Sequence, residues 1–252
     1  CLTCGVEIFH SLKILLDKNG YSTSVGDEGG FAPELKDSEQ AINLICEAIE
    51  RTKYQVGKHV YFAIDAAANE FFNEGRYIFR DKKKGISSDE LLKYWVNLVN
   101  QFPILSIEDP FHEDDVSGFI NLNNEVGKKI QIVGDDLFVT SSERLSEGIK
   151  KNAGNSILIK LNQVGSLSET LDTIDLAKKN DFNTIISHRS GETEDNFIAN
   201  LAVACNSGQI KTGSVSRSDR NSKYNQLLRI EEELGDNAIF CGNQILNKII
   251  RD

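Results

Sequence analysis

The chain has 252 residues, 40% of them apolar and 26% charged, with a formal net charge of −10. That length allows one large domain or two ordinary ones, and the acidic balance excludes the basic footprint that non-specific nucleic-acid binding needs. No run of 18 apolar residues and no basic-then-apolar leader occurs, so neither a membrane-spanning helix nor a signal peptide is expected.

Residues 1–10 read as the middle of an amphipathic helix, and the first residue is Cys1, so the chain is expected to be cut at its N-terminus. Strands are expected at Ser22–Gly26, Val60–Asp65, Ile104–Glu108, Ile130–Asp135, Ser156–Leu161, Thr184–His188 and Gln209–Thr212. Several are Val/Ile-rich with little polar alternation, as in strands covered on both faces. Helical patterns lie between them: after Asp37–Ser38, after Ser87–Ser88, and near Ser141, Ser166, Glu192 and Asn221. Ser and Asn at such starts suit helix N-caps. Three prolines and no composition shift read as one domain, residues 1–252. The five cysteines, Cys1, Cys4, Cys46, Cys205 and Cys241, lack zinc-type spacing and read as free thiols in a reducing cytosol.

Alternating strand and helix means parallel βα units in the α/β class, either an open doubly wound sheet or a closed (β/α)8 barrel. Seven visible strands and a truncated start fit a barrel that lacks its first strand. Polar residues abut the carboxyl end of nearly every strand: Glu28, Asp65, Glu108, Asp135, Lys160, His188 and Lys211, about 30 residues apart on average. That spacing is the repeat length of an eight-unit barrel of about 250 residues, whose active site lies at the strands' carboxyl ends. Three carboxylates together would repel one another unless a divalent cation neutralised them, and Asp/Glu oxygens suit Mg2+. Lysines, an arginine and a histidine beside them suit a phosphorylated, anionic substrate.

Seven segments carry a family resemblance: Val25-Gly-Asp-Glu-Gly-Gly-Phe-Ala-Pro33, Ser106-Ile-Glu-Asp-Pro-Phe111, Val133-Gly-Asp-Asp-Leu137, Ile159-Lys-Leu-Asn-Gln163, Ser187-His-Arg-Ser-Gly-Glu-Thr-Glu-Asp195, Ile210-Lys-Thr-Gly213 and Asn225-Gln-Leu-Leu-Arg-Ile-Glu-Glu-Glu233. Taken in order, they make the chain resemble enolases from Gly5 to about Phe240, and Gly213–Arg220 resembles the bacterial members. The resemblance implies a TIM-type barrel of the enolase superfamily, without its N-terminal α+β domain, acting as a phosphopyruvate hydratase. It implies Mg2+ on Asp65, Glu108 and Asp135, Lys160 as the base for the C2 proton, and Glu28 as the acid at the C3 hydroxyl. Glu108, Asp135, Ser187, His188, Arg189, Ser190 and Lys211 would contact substrate, with Arg189 and Ser190 near its phosphate. Mg2+, Lys211 and Arg189 are expected to bring the Lys160 pKa down, and low dielectric with Asp27 nearby to keep Glu28 protonated.

The resemblance further implies a glycolytic role in the cytoplasm and a homodimer or octamer. It also raises plasminogen binding at the cell surface, reached without a signal peptide. The chain alone is expected to turn over poorly, since the missing domain covers the site and helps hold a second metal. Two alternatives stay open. One is another superfamily enzyme such as an acid-sugar dehydratase, against which Lys160, His188–Ser190 and Lys211 argue. The other is a non-enzymatic binding protein; the terminal Asp252 does not support a C-terminal lysine mode of binding.

Overall fold

The computed structural model describes residues 1–79 and 84–250. The chain divides into two compact units: Cys1–Tyr61 with His188–Ala204 and Ile210–Ile239, and Phe62–Ser187 with Cys205–Gln209 and Phe240–Asp252.

The second unit is built on strands β1 (Phe62–Asp65), β4 (Ile104–Glu108), β5 (Gln131–Gly134), β6 (Ser156–Ile159) and β7 (Asn183–Ser187). All four neighbouring pairs among them are parallel, in the order β1-β4-β5-β6-β7. Parallel neighbours need a crossover, and helices Ser88–Gln101, Val116–Val126, Ser142–Lys151 and Leu167–Lys179 supply one between each pair. Their starts are locally encoded. Ser87 and Glu90 form a reciprocal capping box, and the side chains of Asp115, Ser141 and Ser166 accept from the N–H three residues on. Ile107, Ile132, Ile157 and Ile186, all fully buried, share one face of the sheet by register. Each such side chain contributes roughly 1.5–3 kcal/mol on leaving water.

A small antiparallel pair, β2 (Phe72–Asn73) and β3 (Arg76–Tyr77), was not foreseen; it turns on Glu74 and Gly75, both at positive φ. The Tyr77 hydroxyl donates to Asp115 Oδ2 (2.8 Å) and accepts from the His112 N–H (3.0 Å), tying that pair to the capped helix.

In the first unit, helices Leu2–Lys18 and Ser38–Glu50 pack together, and Leu15, Leu16, Ala48 and Ile49 on them are each at most 1% exposed. The Ser11 hydroxyl donates to the Ala48 carbonyl (2.7 Å). Helices Phe197–Ala204 and Ser218–Leu234 pack against each other, and β8 (Ile210–Lys211) precedes the second. The strand expected over Ser22–Gly26 is not present. The segment makes only an isolated antiparallel bridge, Val25 to Phe31, which closes the Asp27–Gly30 loop. The helix expected near Glu192 begins at Phe197, because Thr193 and Asp195 turn the backbone through side-chain bonds to Asp195 N and Phe197 N.

Candidate active site

Register places the polar residues at the strand ends of the second unit. Asp65 is the partner of Glu108, Glu108 of Val133, Val133 of Ser156, and Ser156 of Asn183. Side chains alternate between faces along a strand. Asp65 and Glu108 therefore share a face with Asp135 (two past Val133), Lys160 (four past Ser156) and Ser187 (four past Asn183). Ile107, Ile132, Ile157 and Ile186 occupy the other face.

Glu108 and Asp135 are buried, and Asp65 is exposed with its Oδ1 accepting from the Ala67 N–H (3.1 Å). Asp135 binds Lys160 Nζ through Oδ2 and Gln163 Nε2 through Oδ1 (3.2 Å). Thr140 orients both partners: its hydroxyl accepts from the Lys160 N–H (2.9 Å) and donates to Gln163 Oε1 (2.6 Å). Asp109, at φ 41°, turns the chain as it leaves β4. Its two oxygens accept from the N–H groups of Asp135 (2.9 Å) and Asp136 (2.8 Å). Burial, with help from the neighbouring aspartates and against those two hydrogen bonds, pushes Asp109 up to about 7. Burial also raises Asp136, despite the bond its Oδ2 accepts from Asn69 Nδ2 (2.9 Å).

Among the described residues, Asp109, Asp135 and Asp136 bring carboxylate oxygens within 4.8 Å of one another. That grouping differs from the expected set of Asp65, Glu108 and Asp135. The oxygens of Asp109 are already committed to backbone, so its part in the grouping is to hold the Asp135–Asp136 turn.

The first unit carries a second cluster. Glu28 Oε2 lies 3.2 Å from His188 Nε2, and the Ser190 hydroxyl donates to Glu28 Oε1 (3.3 Å). The hydrogen bond from His188 holds Glu28 down at about 2; burial opposes it, and the positive charges of Lys211 and Arg220 add to it. Glu28 is thus a carboxylate at neutral pH, contrary to the expectation that its site keeps it protonated. The cause is the surrounding set of donors and cations. Asp27, expected to oppose ionisation, is mostly exposed and lies 3.7 Å from Arg217.

Two glycines fix this loop. A Cβ on Gly213 (φ 81°) would lie 2.6 Å from the Glu28 carbonyl, and one on Gly29 (φ 80°) 2.8 Å from the Ser216 carbonyl. The Ser214 N–H donates to the Glu28 carbonyl (2.9 Å), and the His188 N–H to the Lys211 carbonyl (3.0 Å). His188 is buried, whereas Arg189 and Ser190 are exposed.

Sequence reasoning did not single out Arg220 and Lys223, 0% and 1% exposed. Arg220 donates to the carbonyls of Asp27, Arg189 and Ser190, and Lys223 to those of Thr193 and Asp219. The available signal was their spacing, three apart and so on one helix face beside Gly213. Nothing local says that this face is buried.

Carboxylates and a lysine on one face, at the carboxyl ends of successive parallel strands joined by helices, define an enzyme of the α/β barrel class. The family described as "Enolase, C-terminal TIM barrel domain" matches residues 1–249. The chain belongs to that family and so has the enolase-type TIM barrel fold.

Proposed function

We propose that the chain is the catalytic domain of a phosphopyruvate hydratase, interconverting 2-phospho-D-glycerate and phosphoenolpyruvate. The observation that carries this reading is Lys160, set by Thr140 and paired with Asp135 on the sheet face that also bears Asp65 and Glu108. A lysine among carboxylates is what abstraction of a proton next to a carboxylate requires; sites of the enolase superfamily are known to pair a Lys or His base with Mg2+.

In this mechanism Lys160 takes the C2 proton. Glu28, ionised before substrate arrives, is ready to activate water in the hydration direction; in dehydration it must first gain the proton it gives to the departing hydroxyl. His188 and Ser190 set its orientation. Arg189, Ser190, Lys211 and Ser187 bind the substrate's anionic groups, for which arginine's fork and lysine's point charge are suited.

The donor set fits a hard divalent ion. Glu108 and Asp135 are buried carboxylates on the face of Asp65, and burial, with the charges of Asp135 and Glu113, raises Asp136. We assign Mg2+ to Asp65, Glu108 and Asp135, and leave Asp109 to the backbone it already binds. When bound, the ion supplies Lewis-acid stabilisation of the charge that builds on the substrate carboxylate.

The test is the absorbance of phosphoenolpyruvate formed from 2-phosphoglycerate and Mg2+. Lys160→Ala is expected to lower kcat by about 10²–10⁴-fold while the protein stays folded. With the N-terminal α+β domain present in the same protein, a folded, Mg2+-binding protein that leaves 2-phosphoglycerate untouched would overturn the assignment and direct attention to acid-sugar substrates.

A further inference from the structure

Arg220 is fully buried, and its guanidinium is spent on the candidate site. Nη1 lies 2.7 Å from His188 Nδ1 and 2.8 Å from the Arg189 carbonyl. Nη2 donates to the carbonyls of Asp27 (2.9 Å) and Ser190 (2.7 Å). Nε lies 3.0 Å from Asp219 Oδ2. Burying a guanidinium is costly unless its donors are matched. Here one planar fork gathers the loop that carries Glu28 and the segment that carries His188, Arg189 and Ser190.

The chemistry of that contact decides the state of the histidine. Arginine only donates and stays charged in proteins. His188 Nδ1, facing Nη1 at 2.7 Å, must therefore be the unprotonated acceptor. The ring proton then sits on Nε2, the nitrogen 3.2 Å from Glu28 Oε2. We propose that Arg220 is a positioning residue, locking His188 in the Nε2–H tautomer so that a donor nitrogen, not an acceptor, stands beside Glu28, and holding the Arg189–Ser190 backbone next to it. A lysine would keep the charge but lose the fork, since one ammonium cannot serve the histidine and three carbonyls in that plane.

The catalytic consequence rests on the proposed hydratase reading; the tautomer does not. Nitrogen NMR of the His188 ring, assigned by its loss in His188→Gln, tests the tautomer on the unaltered protein without substrate. A proton on Nε2 with bare Nδ1 at neutral pH is expected. A proton on Nδ1, alone or with Nε2, would overturn the proposal whatever any variant does. Arg220→Lys is expected to mix the tautomers and to lower kcat at least tenfold, about 1.4 kcal/mol in barrier. A folded Arg220→Lys protein with mixed tautomers and unchanged kcat would remove Arg220 from the reaction. The expected tautomer in a protein that carries the N-terminal domain yet never turns over 2-phosphoglycerate would sink the hydratase reading alone.

Discussion

Two carboxylates show how surroundings, not residue type, set the state of a group. Glu28 is held at about 2, first by the His188 hydrogen bond, while burial raises Asp109 to about 7. Because the folded value of Glu28 lies below the ordinary value of about 4.3, its stabilisation is present above that pH and is lost as pH falls toward 2. The labelled Glu28 carboxyl carbon is expected to show no titration between pH 3 and 6, and a step within that range in His188→Ala. A step in the unaltered protein would contradict the assigned interaction. Asp109→Asn leaves two backbone N–H groups with one acceptor and an opposing amide, and should cost about 1–3 kcal/mol in urea unfolding. Its Mg2+ affinity is expected to stay within a few-fold of the parent. A loss as large as that of Asp135→Asn would return Asp109 to the ligand set.

The turn after β5 and the helix that follows are matched through Phe138. A Cβ on Gly134 would lie 2.5 Å from its ring, and one on Gly148, inside helix Ser142–Lys151, 2.3 Å. Helix propensity alone favours Gly→Ala by about 1 kcal/mol, whereas overpacking costs about 1–3 kcal/mol. Gly148→Ala is therefore expected to destabilise, with the denaturant midpoint falling and the m-value unchanged; a rise in the midpoint would mean that Phe138 has room to move. The helices with Ser caps were legible because their signal is local. The Ser22–Gly26 segment was misread because an extended stretch with apolar Val25 looks the same whether it pairs in a sheet or closes a loop.

For the whole molecule, a net charge of −10 disfavours nucleic acid, and no helix among the described residues is long and apolar enough to cross a membrane. A cation bound by Glu108 and Asp135 in the folded state alone stabilises by mass action, about 2.7 kcal/mol at a hundredfold excess over Kd. The Tm is expected to rise with Mg2+ and fall back with a chelator, and Asp135→Asn should abolish the rise. A Tm indifferent to Mg2+ in the parent would refute the cation site.

The sequence by itself determined the alternation of β and α, the crossover helices and their caps, and the polar residues at the strand ends. Hydrophobic period, capping chemistry and the residue at a strand's exit are all written within a few positions. The tertiary structure alone decided the rest. Register put Asp65, Glu108, Asp135, Lys160 and Ser187 on one face, and the backbone at Asp109 turned its carboxylate to the neighbouring N–H groups. Arg220 reached the Asp27 carbonyl, 193 positions away along the chain, and stood against His188. Charge state and buried hydrogen bonding depend on groups brought together only by folding, and no local pattern encodes them.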